Sequence, residues 1–533
     1  MGKAVAWWWS NRSRKLPRPA GVVGAARTQG CRGNVRGPHR RRVATADREA
    51  KTRFLAGVGV GGAHSTEEAS ESWWREGALV LGALDGGEDR ELTMSLGPER
   101  VERLRKKLFE KAKREPGFRF YSLYDKVCWE ETLWVAYRQA RANRGAPGVD
   151  GVDFAQIESY GEGRWLGELR AELEAGRYRP QAVRRVRIAK PGGGERPLGI
   201  PTIRDRVVQT AVVLILEPIF EADFEDNAYG YRPGRSAHDA LREVQERLWR
   251  GRAHVVDADI AKYFDTIPHA ELLQAVARRV ADGQVLRLIK LWLKSPVEER
   301  DDDGNRCMTG GKRSRQGTPQ GGVISPLLAN IYIHRFLRHW RRTGASERLG
   351  AVVNYADDFV ILCASRRQAE QSLVLVDRWM KRLGLAIHPE KTRLCEAWRE
   401  SFDFLGYTFG PVWRFDRRSR HIGARPSKKA QKRLKEKINA LLYRGNPQPW
   451  PELRERLNRL LLGWVEYFRF GGTNQAYGAI RWHVAQRARS FLRRRHKLPR
   501  GTGRFGAEEV YGRCGVVDLG RLWRTQHSAN ASS

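Results

Sequence analysis

AVVNYADDFVIL, residues 351–362, is the stretch that decides the fold of this chain. Two apolar segments flank an adjacent pair of acids, Asp357 and Asp358, and this pattern predicts a β-hairpin with the charges in its turn. Adjacent carboxylates repel and raise each other's pKa unless a cation neutralises them, and hard oxygen ligands suit Mg²⁺. The hairpin is therefore a candidate metal site, although an Asp pair in a turn is more often ordinary solvated turn chemistry.

A second acidic strand precedes the hairpin. Residues 254–260, HVVDADI, place Asp257 and Asp259 at alternate positions of an apolar strand, followed by a predicted helix that extends to about Val280. Three carboxylates from two strands suffice for a two-metal site, in which the ions activate a primer 3′-hydroxyl and stabilise the leaving pyrophosphate. The combination predicts nucleotidyl transfer, which neither piece predicts alone.

The charge of the chain favours a polyanionic partner. Its 533 residues include 98 Lys and Arg against 61 Asp and Glu, a net charge of +37, and more than half of the excess lies after residue 410. The sequence has no apolar run of about 18 residues and no isolated basic amphipathic anchor, so nucleic acid is favoured over a membrane surface. It also lacks a secretion signal, and we expect a cytoplasmic protein.

The cysteines form no C-x-x-C pair, which argues against both a disulfide framework and a zinc module. We interpret them as reduced thiols, most of them in the core. They are Cys31, Cys128, Cys307, Cys363, Cys395 and Cys514.

The composition changes near residue 94. Residues 1–93 are Arg-rich and then Gly-rich without sustained periodicity, and we expect this segment to be disordered. Two interpretations stay open: a basic arm that binds nucleic acid, or translated sequence upstream of a start at Met94, which we favour. Amphipathic helices begin at Pro98.

Strands and helices alternate in the centre of the chain, to about residue 410. The segment 183–197 reads as a β-hairpin with a Gly-rich tip, and Asp205 to Phe220 reads as a helix. After about residue 425 the periodicity is wholly helical, with three Arg-rich helices predicted at 428–442, 451–468 and 476–495. The tail from Gly501 is predicted to be irregular.

A series of motifs in order makes a family resemblance specific. The motifs are NRGAPGVDG at 143–151, RPLGIP at 196–201, YGYRPGRS at 229–236, the Asp259 strand, RQGTPQGGVISP at 315–326, YADD at 355–358, PEKT at 389–392 and FDFLGY at 402–407. From about residue 98 to 520 the chain resembles bacterial group II intron-encoded reverse transcriptases with a maturase region.

The resemblance implies an α+β fold, a right-hand polymerase with fingers and palm followed by an all-helical thumb and maturase region. It places the N-terminal extension and fingers at 94–250, the palm at 251–410, the helical region at 411–500 and a C-terminal tail at 501–533. Many relatives carry an HNH endonuclease with cysteine pairs after the maturase region. This chain has no such pairs, so we expect no HNH endonuclease and no cleavage of the second DNA strand by the chain itself.

The resemblance also assigns the catalytic residues. Asp259, Asp357 and Asp358 would hold two Mg²⁺ ions, with a further contact from the backbone carbonyl of Ile260. Lys391 would protonate the leaving pyrophosphate. By contrast, Asp257 and Asp265 are interpreted as a strand-face partner and a helix-surface acid.

The nucleotide would be bound around the hairpin and the Gly-rich loop. Lys190 and Arg196 would reach the triphosphate, although a solvated basic turn is an equally good interpretation of such a pair. Phe264 would block a ribose 2′-hydroxyl. Gln320 and Gly321 would lie by the nascent base pair, in a loop before a helix that Ser325 can cap and Pro326 can open.

Two further groups would bind the primer or RNA. Phe404, Leu405 and Gly406 resemble the hairpin that grips the primer, although Phe and Leu are also ordinary core residues. Trp464, Tyr467 and Arg469 would bind RNA by stacking and phosphate contacts. An aromatic core stripe with a solvated basic face remains open for this second group.

The implied function is an enzyme that copies its intron RNA into DNA in retrohoming, from a nicked or nascent DNA primer with dNTPs, and that helps the intron RNA fold for splicing. The alternatives are an RNA-binding splicing factor with a decayed polymerase, and a reverse transcriptase of a retron, diversity-generating or CRISPR locus. An RNA-dependent RNA polymerase is disfavoured by Phe264. The oligomeric state and the particular intron RNA stay open.

Overall fold

The computed structural model describes residues 88–189, 195–300, 305–414, 419–499 and 503–529. Most of the N-terminal segment 1–93 lies outside these ranges. The choice between a nucleic-acid-binding arm and upstream translated sequence therefore stays open. The last residues of this segment, 88–93, are helical and begin α1 (Glu88–Arg114), so the first helix starts before Met94 and before Pro98. In the described ranges no helix is long and apolar enough to cross a membrane.

Short helices around one buried helix build the N-terminal part. After α1 they are α2 (Tyr124–Val127), α3 (Glu130–Ala142), α4 (Phe154–Tyr160), α5 (Glu162–Glu174) and α6 (Ile203–Glu221). α6 confirms the helix predicted at Asp205 to Phe220. It is buried on nearly all sides because α1 and α3 pack against it, as its apolar run from Ala211 to Leu216 requires.

The fingers contain a four-stranded sheet. β1 (Val183–Ala189) and β2 (Glu195–Ile200) pair antiparallel, which confirms the predicted hairpin, while its tip at 190–194 lies outside the described residues. β4 (Pro296–Arg300) adds parallel to β1, and β5 (Arg306–Gly310) completes the order β2-β1-β4-β5. A 3₁₀ turn, Gly311–Arg313, follows β5.

The palm sheet carries the acidic strands. Its order is β6-β7-β3-β8, all antiparallel, with bounds β3 (His254–Asp259), β6 (Gly350–Tyr355), β7 (Asp358–Cys363) and β8 (Arg393–Glu396). The β6–β7 hairpin is as predicted. Its apolar side chains are buried against α11 (Ser325–Arg342) and α13 (Arg366–Arg382), and α12 (Ala345–Arg348) leads into β6.

The prediction of one continuous helix from β3 to about Val280 is wrong. The segment is divided into α8 (Tyr263–Thr266) and α9 (His269–Ala277), because Pro268 interrupts it. The interruption frees two carbonyls: Gly317 N donates to Ile267 O (2.8 Å), and Thr318 N donates to Phe264 O (2.6 Å). The loop at 315–322 is therefore anchored beside the end of β3. α10 (Gly283–Leu293) then leads to β4.

A third sheet joins the palm to the C-terminal helices. Its order is β11-β10-β9, with β9 (Phe402–Phe404), β10 (Tyr407–Arg414) and β11 (Ser419–Pro426). α7 (Ala237–Trp249) packs on β11. The predicted palm boundary at residue 410 falls inside β10, so the strands extend further than expected.

The C-terminal part is helical. α14 (Lys428–Leu441), α15 (Trp450–Tyr467) and α16 (Asn474–Arg495) confirm the three predicted helices. The prediction of an irregular tail after Gly501 is wrong. Two helices, α17 (Ala507–Tyr511) and α18 (Leu519–Ala529), pack on α16, and Arg481 pairs with Asp518 at 2.7 Å. The cysteines of the described ranges are free thiols, as predicted, and Cys31 lies outside those ranges. Cys128, Cys363 and Cys395 are buried as expected, whereas Cys307 is exposed.

Candidate active site

Two of the predicted catalytic acids face each other across the palm sheet. Asp259 ends β3, Asp358 begins β7, and the register pairs them directly. Side chains opposed in this way have Cβ atoms about 5 Å apart. Asp357 precedes Asp358 in the turn and is 6% exposed, and Asp259 is 8% exposed. The fold therefore brings the three carboxylates to one end of the sheet.

This end of the sheet carries unbalanced negative charge. Burial, followed by the charges of Asp357 and Asp259, raises the pKa of Asp358 to about 7. The Lys391 ammonium lies 2.5 Å from Asp259 Oδ2. Asp259 Oδ1 is buried and accepts no hydrogen bond from the described residues. A buried acceptor without a partner is costly, so the site has an unmet requirement for a cation.

The donor chemistry fits magnesium. Carboxylate oxygens are the ligands that this hard cation prefers, and Asp259 Oδ1 has a free coordination position. Within the described ranges, however, no group of three or more Asp, Glu, His and Cys side chains is already arranged as a metal site. Ile260 follows Asp259 and is buried opposite Ile387.

The acidic turn is supported from behind by the YGYRPGRS motif. Tyr229 N donates to Asn354 O, and Asn354 N donates to Asn227 O, both at 2.9 Å. A Cβ on Gly230 would collide with the backbone nitrogen of Ala356, which itself has a φ of 59°. Only glycine fits at this contact, so the motif holds the turn in place. The motif can be recognised in the sequence, but this role depends on contacts between distant segments.

The loop at 315–322 is held against the end of β3 by a side-chain pair. Gln320 Nε2 donates to both carboxylate oxygens of Asp265 at 3.0 Å. Asp265 is exposed on helix α8, as expected of a helix-surface acid, and it also accepts these bonds from the loop. Phe264, next to it, is 8% exposed and contacts the edge of the Tyr231 ring, with 6.5 Å between ring centres.

The same loop touches the fingers. Gly199 N donates to Gln320 O at 2.6 Å, and a Cβ on Gly321 (φ 107°) would collide with the Gly199 carbonyl oxygen. This close approach of the two backbone segments explains why positions 199 and 321 are glycines. Ser325 does not cap the following helix as predicted: it is already helical, and its hydroxyl donates to Pro319 O at 2.9 Å.

The two predicted triphosphate contacts stay predictions. Lys190 lies outside the described residues. Arg196 is placed in β2 opposite Ile188, and nothing further is described for its side chain.

The predicted primer-grip turn is held by the helical region. Leu405 and Gly406 both have positive φ, 48° and 82°, in the two-residue turn between β9 and β10. Phe404 is buried beneath them. Tyr467 Oη donates to Leu405 O at 2.8 Å, and Ser427 N donates to Gly406 O at 3.0 Å. These bonds fix a conformation that a leucine adopts only at a cost.

The aromatic residues of α15 serve packing. Trp464 is buried, and its ring centre lies 4.9 Å from that of Phe468. A buried ring offers no open face to a base, so for Trp464 the structure favours the core stripe over RNA stacking. Tyr467 supports the turn. Arg469 is exposed, 3.0 Å from Glu466, and stays available to a phosphate.

A palm sheet with opposed carboxylates, a supported acidic turn and a clamped Gly-rich loop defines a right-hand nucleotidyltransferase. Residues 188–409 match the reverse transcriptase (RNA-dependent DNA polymerase) family, and residues 431–507 match the maturase-specific domain of group II introns.

Curated relatives agree with both matches. Protein YkfC of Escherichia coli K12 is 34% identical over 347 residues, 58% of this chain and 87% of that protein. The group II intron-encoded protein LtrA of Lactococcus lactis is 37% identical over 216 residues, 40% of this chain and 34% of LtrA. An uncharacterized 91 kDa protein in the cob intron of Schizosaccharomyces pombe is 27% identical over 51% of this chain and 39% of that protein.

The chain therefore belongs to the group II intron reverse transcriptases and maturases, and it is an RNA-directed DNA polymerase. It spans about a third of LtrA. Reverse transcriptases generally depend on divalent metal ions, and both matched domains imply nucleic-acid substrates. The maturase match favours the intron type over the retron, diversity-generating and CRISPR types.

Proposed function

We propose that the chain copies its intron RNA into DNA in retrohoming, from a nicked or nascent DNA primer, and assists the splicing of the same RNA in the cytoplasm. The observation that carries the proposal is the direct pairing of Asp259 with Asp358 beside the buried Asp357. The matches to reverse transcriptase and maturase domains support it.

The proposed metal ligands are Asp259, Asp357 and Asp358, with the carbonyl of Ile260. Two bound magnesium ions would make the primer 3′-hydroxyl more acidic and stabilise charge on the leaving pyrophosphate. The unpartnered Asp259 Oδ1 supports this assignment. Lys391 is the proposed proton donor to the pyrophosphate, and its contact with Asp259 supports a position beside the metal ligands.

The proposed nucleotide contacts lie on three sides. Lys190 and Arg196 bind the triphosphate from the fingers. Gln320 and Gly321 lie under the nascent base pair, where the absence of a Cβ at Gly321 allows close backbone approach. Phe404, Leu405 and Gly406 hold the primer end.

Phe264 is the proposed barrier to ribonucleotides. Replacing it with Val removes ring atoms from the position where a 2′-hydroxyl would clash. We expect Phe264→Val to raise the kcat/KM for a ribonucleotide relative to its deoxynucleotide by at least tenfold, about 1.4 kcal/mol of discrimination. Single-nucleotide extension with each substrate measures the ratio. Phe264→Tyr keeps the bulk and is expected to keep the discrimination; equal ratios in Phe264→Val and the wild type would remove the barrier role.

Primer extension tests the function as a whole. We expect the wild type to extend a DNA primer on an RNA template with dNTPs and Mg²⁺. We expect Asp357→Asn with Asp358→Asn to lose at least a thousandfold in rate, because the two carboxylates are proposed ligands of the ions. Asp257→Asn is the control, since Asp257 lies on the neighbouring strand β3, two residues before Asp259, and pairs with Arg393 at 3.3 Å.

The outcome separates the two remaining hypotheses. Extension by the wild type and Asp257→Asn, without extension by the double variant, is the result expected of the polymerase. A folded wild type that binds intron RNA tightly but extends no primer would leave only the splicing factor with a decayed polymerase.

A further inference from the structure

A group of exposed aromatic residues lies far from the catalytic acids. The tryptophan surface consists of Trp249, Trp398, Trp413 and Arg420. Its tryptophans are 69%, 43% and 64% exposed, respectively. Large exposed rings that cluster on a folded chain mark interaction sites, since isolated ones would be expected to scatter.

Direct contacts hold the tryptophan surface together. Arg420 Nη2 donates to Trp398 O at 3.1 Å, and the Arg420 guanidinium lies 5.9 Å from the Trp413 ring centre. Trp413 and Arg420 are opposed across the β10–β11 pair. Trp249 Nε1 donates to Ile422 O at 3.3 Å, two residues along β11 from Arg420. The four side chains thus come from α7, the loop after β8, and the β10–β11 hairpin.

The tryptophan surface lies outside the polymerase cleft. Ala397 N donates to Ala253 O at 2.8 Å, so Trp398 is beside the start of β3, whereas Asp259 is at its other end. Trp413 is six residues along β10 from Tyr407, which adjoins the primer-grip turn, or about 20 Å at the usual rise of a strand. A nucleic acid held by the catalytic residues would not need these side chains.

The chemistry of the tryptophan surface fits unpaired RNA. Exposed indole rings stack on bases whatever their identity, and a guanidinium adds phosphate contact. Within the described ranges Arg420 has no carboxylate at ion-pair distance. The chain as a whole carries a net charge of +37. In unpaired RNA, the exposed bases can stack on the indole rings, and the phosphates can pair with the positive charge.

We propose that the tryptophan surface binds unpaired nucleotides of an RNA outside the polymerase cleft, with bases stacked on Trp398 and Trp413 and a phosphate at Arg420. It gives the protein a second RNA contact in addition to the template. A template and this second segment can then belong to one folded RNA.

A binding measurement tests the proposal. The probe is a fluorescein-labelled 15-nucleotide oligoadenylate, added to protein whose cleft is occupied by a chain-terminated DNA primer on an RNA template with the next dNTP. The variant is Trp398→Ala with Trp413→Ala. Trp482→Ala is the matched control, because Trp482 is 65% exposed and lies on α16, which contributes no residue to the tryptophan surface. We expect the Kd to rise at least tenfold in the double variant and to stay within twofold in the control.

Other results would overturn the proposal. An unchanged Kd in the double variant removes the stacking role, and an equal loss in Trp482→Ala makes the effect nonspecific. Sedimentation without RNA adds a third check: self-association that the double variant abolishes, with an unchanged oligoadenylate Kd, assigns the surface to a second copy of the chain. Primer extension is expected to stay at the wild-type rate in the double variant. Because binding is measured apart from synthesis, an inactive wild type would contradict the proposed function and leave the binding result standing.

Discussion

The hydrogen bonds from Gln320 to Asp265 join the loop under the proposed nascent base pair to the helix turn that follows Asp259. An amide nitrogen that donates to both oxygens of one carboxylate restricts the orientation of the Gln320 side chain. The nearby backbone bonds from Thr318 to Phe264 and from Gly317 to Ile267 hold the loop itself, so the side-chain pair fixes the orientation of Gln320 and not the fold. Asp265 is therefore a positioning residue for Gln320.

Asp265→Ala is expected to free the Gln320 side chain. Loss of a hydrogen-bonded carboxylate costs about 1–2 kcal/mol, so we expect the KM for dNTP to rise about fivefold to thirtyfold, with a much smaller change in kcat. Steady-state single-nucleotide extension measures both constants. Asp265→Asn retains an acceptor and should recover much of the KM. An unchanged KM in Asp265→Ala would show that Gln320 does not need its partner.

At the scale of elements, the β9–β10 turn and α15 form one unit. Tyr467 Oη donates to Leu405 O, and Tyr407 Oη donates in turn to Tyr467 O at 2.7 Å. A turn with two positive φ angles, one of them at leucine, depends on such bonds. The position of the proposed primer grip is thus set by the helical region and not by the palm alone.

Tyr467→Phe is expected to weaken primer binding. The substitution keeps the ring and removes the hydroxyl that donates to Leu405 O, at a cost of about 1 kcal/mol. We expect the KM for the primer–template to rise about fivefold while the KM for dNTP is unchanged. Tyr443→Phe is the control, because Tyr443 is an exposed tyrosine of the helical region. A parallel rise in both KM values would show general damage instead.

At the scale of the whole molecule, a half-buried histidine on α11 links stability to pH. Burial, then the charges of Arg338, Arg232, Arg341 and Arg278, lowers the pKa of His334 from 6.5 to about 4. Its ring packs edge-on against Phe224, 5.7 Å between centres. In the folded chain His334 stays neutral where the unfolded chain binds a proton, so stability is lost as the pH falls from 6.5 towards 4.

His334→Gln is expected to reduce this pH dependence. For a pKa of 6.5 unfolded and about 4 folded, the group costs about 2 kcal/mol at pH 5 and almost nothing at pH 7.5. Urea unfolding at both pH values should give a smaller decrease in the free energy of unfolding for His334→Gln than for the wild type. His496→Gln, at an exposed position, is the control. An equal decrease in all three proteins would contradict the assignment.

The sequence by itself determined the elements whose signals are local. The β6–β7 hairpin, the Asp259 strand, the β1–β2 hairpin and the three long C-terminal helices follow from apolar periodicity and turn residues, and the structure has all of them. The order of the motifs determined the family. These features depend on residues near one another in the chain, so a single sequence displays them.

The tertiary structure decided what depends on contacts between distant segments. The addition of β4 and β5 to the fingers sheet, the packing of α17 and α18 on α16, and the role of Asp265 all need a partner more than ten residues away. The burial of Trp464 needs Tyr477 beside it. Local propensity is weak for short strands and short helices. The sequence around an aromatic residue does not by itself distinguish a buried ring from an exposed one. The free energy that separates these outcomes comes from burial and pairing across the fold, which no local pattern records.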